Sequence, residues 1–131
     1  MRTVKDVEAY LERLNRKYAP VEGQPGTFLI TTNPAMPPVA LRVDSPLVVL
    51  RLRIGDVPKD DHVALFRKLL SLNAKALVHT SYGIDNDSIV LSAAHELENL
   101  DFNEIEATLD EIDLALTQQV PELVELSKQS K

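Results

Sequence analysis

Two runs whose side chains repeat at period two, Val39–Asp44 and Leu47–Ile54, are separated only by Ser45 and Pro46. In an extended chain alternate residues share a face, so Val39, Leu41 and Val43 line one side and Arg42 and Asp44 the other. In the second run Val48, Leu50, Leu52 and Ile54 form one face, with Arg51 and Arg53 opposite. An Asp-Ser-Pro turn leaves no room for a crossover, so the two runs must be antiparallel neighbours. Thr27–Thr32, rich in β-branched and aromatic residues, precedes them and is broken by Asn33, Pro34, Pro37 and Pro38. The three runs predict an antiparallel meander.

Helical patterns surround it. Val4, Val7, Tyr10 or Leu11, and Leu14 recur at helical spacing behind Thr3, a capping residue, and predict a helix to about Tyr18. Pro58, Asp60 and Asp61 suit the start of a second helix, which reads to about Asn73 through Val63, Phe66, Leu69, Leu70 and Leu72. Ala76–Ile84 and Ser88–Ala94 flank Asp85-Asn86-Asp87 and read as a hairpin. Asp101 with Glu104 is a capping-box pattern, and Leu100 with Ile105 stand where a hydrophobic staple would. The helix they open continues through Leu109, Ile112 and Leu116 to Pro121, which is expected to kink or restart it. The prediction is a single α+β domain over residues 1–131, of order α-β-β-β-α-β-β-α, with an antiparallel sheet packed with helices and a frayed tail at 127–131. A chain of 131 residues can bury a core without staples.

The inventory of reactive groups is thin. Cysteine is absent, which removes disulfides, thiolate metal sites and cysteine nucleophiles, and fits a reducing compartment. No apolar leader is visible in MRTVKDVEAYLERL, and no apolar run reaches about 18 residues. The expectation is a cytoplasmic protein with no membrane segment. His62, His79 and His95 are scattered, and pairing about Asn86-Asp87 would put His79 opposite Ala94 rather than His95. Asp85-Asn86-Asp87 resembles the start of a calcium loop, with Glu96 at its twelfth position. However, Ile89 and Val90 replace an oxygen ligand and the obligatory glycine. No serine sits in a nucleophile elbow, and the four glycines are not clustered as a phosphate cradle requires. No catalytic residue, metal site or cofactor is predicted, so the chain reads as a non-enzyme.

Charge is uneven. Residues 1–58 carry 8 Lys+Arg and 6 Asp+Glu, whereas 59–131 carry 6 and 14. From Asp85 to Glu125 there are 12 carboxylates and no Lys or Arg. Such a chain lacks the basic footprint of a nucleic-acid binder, and direct nucleic-acid binding is not expected. The acidic stretch is either the solvated face of the last helix and hairpin or a surface that steers a basic partner. Apolar residues are in surplus too. Leu47 and Val49 face away from Val48 and Leu50, and the second helix is apolar over more than one stripe. Either helices cover both faces of the sheet, or part of this surface serves association.

The element order is similar to that of the type III secretion chaperone fold. The stretch LLSLNAKALVHTSYGIDNDSIVLSAAHELENLDFNEIEATLDEIDLALTQQVPEL resembles the corresponding part of YbjN-like proteins, which share that fold. It pairs a Leu-rich helix ending at Asn73 and a hairpin turning at Asp85-Asn86-Asp87 with Leu100-Asp101 opening a helix that carries Asp110 and Glu111. The resemblance covers roughly residues 60–125 by pattern. YbjN-like proteins are described as regulators of bacterial sensory transduction. The resemblance implies a homodimer that binds partner protein segments, in signal transduction or stress response. It implies a dimer surface at Phe66, Leu69, Leu70 and Leu77, and a partner segment lying on the first helix and the sheet near Leu47 and Val49. A dedicated type III secretion chaperone for one effector and a small-molecule sensor domain are the alternative readings.

Overall fold

The computed structural model describes residues 2–128 except 33 and 61. Helix α1 (Val4–Arg13) begins in a capping box: the Thr3 hydroxyl accepts the Asp6 N–H, and the Asp6 carboxylate accepts the Thr3 N–H at 2.8 Å. It stops well short of Tyr18 because Asn15 takes a left-handed φ of 57° and turns the chain out of the helix. Four strands follow: β1 (Tyr18–Pro20), β2 (Thr27–Ile30), β3 (Val39–Asp44) and β4 (Leu47–Asp56). Strand β1 is an addition to the predicted order. It consists of Tyr-Ala-Pro and is defined by pairing Tyr18 with Ile30 and Ala19 with Leu29.

Helix α2 (Val63–Lys75) starts two to three residues later than the acidic pair predicted, with its first turn behind His62. Strands β5 (Ser81–Asp85) and β6 (Ser88–Glu96) form the predicted hairpin, with Asn86 left-handed in the turn. Its first strand begins at Ser81 rather than Ala76. Helix α3 (Phe102–Leu114) opens on the predicted box, with Asp101 and Glu104 exchanging hydrogen bonds at 3.0 and 3.1 Å. Leu100 and Ile105 beside it are buried. A wide π turn (Ala115–Gln119) then leads into α4 (Val120–Lys128). The irregularity predicted at Pro121 therefore lies one turn earlier, and Pro121 occupies the second position of α4, where proline is tolerated. Ser127 and Lys128 close that helix; the rest of the expected tail lies outside the described residues.

All six strands form one antiparallel sheet in the order β1-β2-β3-β4-β6-β5. One face carries Phe28, Ile30, Val39, Leu41, Val48, Leu50, Leu52 and Leu91, all buried in a core shared with Val7, Leu11, Leu65, Leu69, Ile105, Leu109 and Ile112. Helices α1, α2 and α3 with its continuation pack on this face alone. Helix α1 is tied to the start of α3: the Arg2 guanidinium and Tyr10 hydroxyl donate to the Leu100 carbonyl at 2.8 and 3.0 Å. Arg13 stacks 4.0 Å over the Phe102 ring, and Arg16 pairs with Asp113 at 2.7 Å and Asp110 at 3.2 Å. Burial pulls the Arg16 guanidinium pKa down, but its two aspartates outweigh this and hold it above the ordinary value. Helices do not cover both faces of the sheet: among the described residues none packs on the second face.

Candidate functional site

The open face is built from residues that alternate with the core. Register runs Thr27–Arg42–Val49–Ala94 across β2, β3, β4 and β6, and one row over Leu29–Ala40–Arg51–Ser92. Small side chains leave a trough between long ones. Val49 and Arg51 line two adjoining cavities of about 390 and 540 Å³, one toward Thr27 and Ala40, the other toward Ser81, Ser92 and Ala94. The arginines on this face are paired: Arg42 with Asp44 at 3.2 Å, Arg51 with Asp85 at 2.8 Å, and Arg53 with Asp56. These pairs are half-exposed, so each contributes under about 1 kcal/mol and is easily exchanged. Leu47 and Val49 both lie on this face, Leu47 at its end and 39% exposed. The first helix does not share it, because α1 packs on the opposite side of the sheet from Leu47 and Val49.

A second apolar surface lies at the β5 edge. Phe66, Leu69 and Leu70 of α2 face Tyr82, Gly83 and Ile84 across a cleft of about 230 Å³. Val63, Phe66 and Leu70 follow each other at helical spacing; Val63 and Leu70 are 63% and 69% exposed, and Ile84 is 51% exposed. The His62 ring packs 4.4 Å from that of Phe66. Three of the four residues expected at a dimer surface are thus brought together. Leu77 is not among them: it sits in the loop after α2, packed on the core beside Ala107 and Leu114 of α3. Ile84 and Asn73 complete the cleft, and Val63 extends the apolar stripe of α2 beyond it. Ile84 was legible as an apolar strand residue near the turn, and Val63 as the first member of the helical stripe.

Asn73 bridges the cleft's floor. Its amide oxygen accepts the Tyr82 N–H at 2.7 Å, and its amide nitrogen donates to the Tyr82 carbonyl at 3.0 Å. The Tyr82 hydroxyl donates to Gln119 at 2.7 Å, and burial pushes its pKa well above the ordinary phenol value. Glu111 holds the loop between α2 and β5. Its carboxylate accepts the N–H groups of Val78, His79 and Thr80 at 2.7–2.9 Å and the Thr80 hydroxyl at 2.7 Å. Burial pushes the Glu111 carboxyl up, but these four donors together hold it below the usual carboxylate range.

Several carboxylates of the acidic stretch are therefore engaged within the chain: Glu104 in a cap, Asp110 and Asp113 on Arg16, Glu111 on the loop, and Glu122 on Lys68 at 3.2 Å. Asp85 and Asp87 belong to the hairpin turn rather than to a cation loop. His62, His79 and His95 do not converge; His95 meets Thr108 at 2.8 Å instead. Among the described residues no group of three or more His, Asp or Glu is placed to hold a metal ion, and no helix is long and apolar enough to cross a membrane.

A six-stranded antiparallel sheet, with helices in this order, is the type III secretion chaperone-like fold. The chain matches the CesT_Tir_1 model over residues 1–129 and belongs to that family of type III secretion chaperones. It is similar to a chain of the heterodimeric ExoU–SpcU complex from the type III secretion system of Pseudomonas aeruginosa, with a TM-score of 0.68 and 17% identity over 88% of this chain and 95% of that one. It is also similar to the Yersinia pestis type III secretion chaperone SycH, solved in complex with a stable fragment of YscM2, with a TM-score of 0.58 and 18% identity over 95% and 99%. The likeness to E. coli YbjN has a TM-score of 0.60 at 10% identity, over 89% and 93%, and is one of fold. No curated protein matches by sequence.

Proposed function

We propose that this chain is a non-enzymatic cytoplasmic chaperone that holds an extended segment of one partner protein on the open face of its sheet and works as a homodimer through the α2/β5 cleft. The observation that carries the reading is the one-sided sheet. A sheet face with Val49 at its centre, the small Ala40, Ser92 and Ala94 between its arginines and, among the described residues, no helix above it is suited to cover from another chain. Membership of a secretion-chaperone family supports a dedicated partner rather than many.

Two variants separate the two surfaces. Val49→Glu puts a charge into the trough without touching the core, and is expected to lose the partner while keeping the fold. Leu70→Glu is expected to convert a dimer into a monomer in sedimentation at micromolar concentration with little change in melting temperature, since Leu70 is largely exposed. Co-purification from the native cell should yield one stoichiometric partner, reduced at least about tenfold by Val49→Glu. An unchanged yield from that variant refutes the assigned face, and a wild-type monomer refutes the dimer. The fold likeness to YbjN supports a second reading, a regulator in signal transduction. Several substoichiometric partners would favour it.

A further inference from the structure

The trough on the open face differs in charge from the chain around it. The whole chain has a net charge of −6. Yet the residues that line the two adjoining cavities include Arg42, Arg51 and His79 and, among the described residues, no carboxylate. The acids borne by the strands of this face stand at its margins: Asp44, Asp56, Asp85 and Glu96 are the last residues of β3, β4, β5 and β6. Glu111 belongs to α3, on the other side of the sheet, and its carboxylate is committed to the loop from Val78 to Thr80.

Arg42 and Arg51 meet at the cavity of about 390 Å³. Arg51 lies opposite Ala40 and Arg42 opposite Val49, so the two arginines stand at diagonal corners of a floor completed by Ala40 and Val49. Gln24 and the buried Thr27 add an amide and a hydroxyl to the lining. Asp44 touches only Nη2 of Arg42, and Asp85 only Nη1 of Arg51. A guanidinium carries five N–H donors in a planar fork that fits a carboxylate, so both arginines keep donors for a second acid.

We infer that this cavity takes an aspartate or glutamate side chain of the extended partner segment, which is therefore acidic where it crosses β3 and β4. The inference rests on the open-face reading above and adds the partner's chemistry to it. Val49 beside the cavity suits an apolar neighbour of that acid. Ser92 and Ser81 continue the row beyond Arg51 and offer hydroxyls further along. Three strand spacings separate Arg42 on β3 from Ser81 on β5, about 14 Å, which about four extended residues span. A lysine in the same place would meet two guanidinium groups with no acid lining the cavity, which selects against a basic segment.

The test uses the full chain and three acetylated peptide amides, Ser-Ala-Val-Xaa-Val-Ala-Ser, with glutamate, glutamine or lysine as Xaa. Heteronuclear NMR follows the backbone amides and the arginine Nε–H groups. The glutamate peptide should shift the Arg42 and Arg51 Nε–H signals and the Val49 amide, and bind about fivefold more tightly than the glutamine peptide, with lysine weakest. Arg42→Gln/Arg51→Gln should make the glutamate and glutamine peptides equal. Arg53→Gln, on the same face but lining neither cavity, should leave the preference intact. These side chains are half-exposed, and the amide spectrum verifies that each variant is folded. Equal binding of the glutamate and glutamine peptides to wild type overturns the inference, as does a preference that Arg53→Gln abolishes as fully as the double variant. If the peptides bind alike beside Val49, the open face stands and only its acid preference falls. Shifts confined to α1 or the α2/β5 cleft, or no shifts at all, remove the open face and the inference with it.

Discussion

Replacing Glu111 by alanine should destabilise the chain by about 3 kcal/mol. The figure follows from what the carboxylate holds. The Thr80 N–H and hydroxyl are buried, and stranding them costs about 1 kcal/mol or somewhat more apiece. The Val78 and His79 N–H groups belong to exposed residues and regain water, so each costs about 0.5 kcal/mol. Glutamine keeps one carbonyl oxygen, able to accept two of the four hydrogen bonds, and should lose about half as much. In a chain of 131 residues, 3 kcal/mol corresponds to a fall of about 10 °C in melting temperature. Urea unfolding followed by circular dichroism reads the difference directly. The pH dependence gives a second, sharper check. Because the folded-state pKa of Glu111 is depressed, its stabilisation is present above the ordinary carboxylate value and is lost as pH falls through the depressed one. The gap between wild type and Glu111→Ala should therefore be full at neutral pH and narrow toward about pH 3. A gap below about 0.5 kcal/mol at neutral pH, or one that persists unchanged in acid, would refute the reasoning.

Removing either cap, by Thr3→Ala or Asp101→Ala, should cost about 1 kcal/mol in urea unfolding. An effect no larger than that of an exposed alanine substitution elsewhere in α1 would show that the boxes are decorative. The Thr108 hydroxyl donates to the Glu104 carbonyl at 2.8 Å, so it accepts from His95 Nε2–H, which requires the neutral ring to carry its proton there. Burial lowers the His95 pKa, with the His79 charge adding to it and Glu104 opposing. The stabilisation is thus present above the unfolded value and lost as pH falls through the folded one. His95→Gln keeps a donor to Thr108, so wild type should lose stability relative to it between about pH 7 and 5; parallel profiles would exclude His95 as the titrating group.

What could be read from the residues divides along physical lines. The β3–β4 hairpin, the β5–β6 turn and the Asp101 box rest on local chemistry, and all three stand in the fold. Strand β1 could not be read that way: Tyr-Ala-Pro has no alternation, and its proline counts against a strand. It becomes one because β2 is beside it. The early end of α1 did have a signal, Asn15, whose tolerance of left-handed geometry was hidden under a continuing apolar period. The late start of β5 had none, since Glu111 lies more than 30 residues away and draws Val78, His79 and Thr80 into a loop. The cleft was half legible. Phe66, Leu69 and Leu70 followed from helical spacing, whereas Asn73, read as a helix end, sits inside α2 with its amide on Tyr82. The open face was visible as the second side of β4, but only the packing of all the helices opposite it decided that Leu47 and Val49 stay uncovered.

The Leu100 carbonyl, which receives both Arg2 and Tyr10, also sets an order of events during synthesis. Helix α1 is made well before the groups that fasten it, which lie 90 or more positions downstream, at Leu100, Asp110 and Asp113. At roughly 5–20 residues per second, it waits several seconds for its seat. Through that interval Val7 and Leu11 have no α3 to pack against. Helix α1 leaves the ribosome long before these groups do, so a chain halted before Leu100 should display α1 to proteases and to other chains.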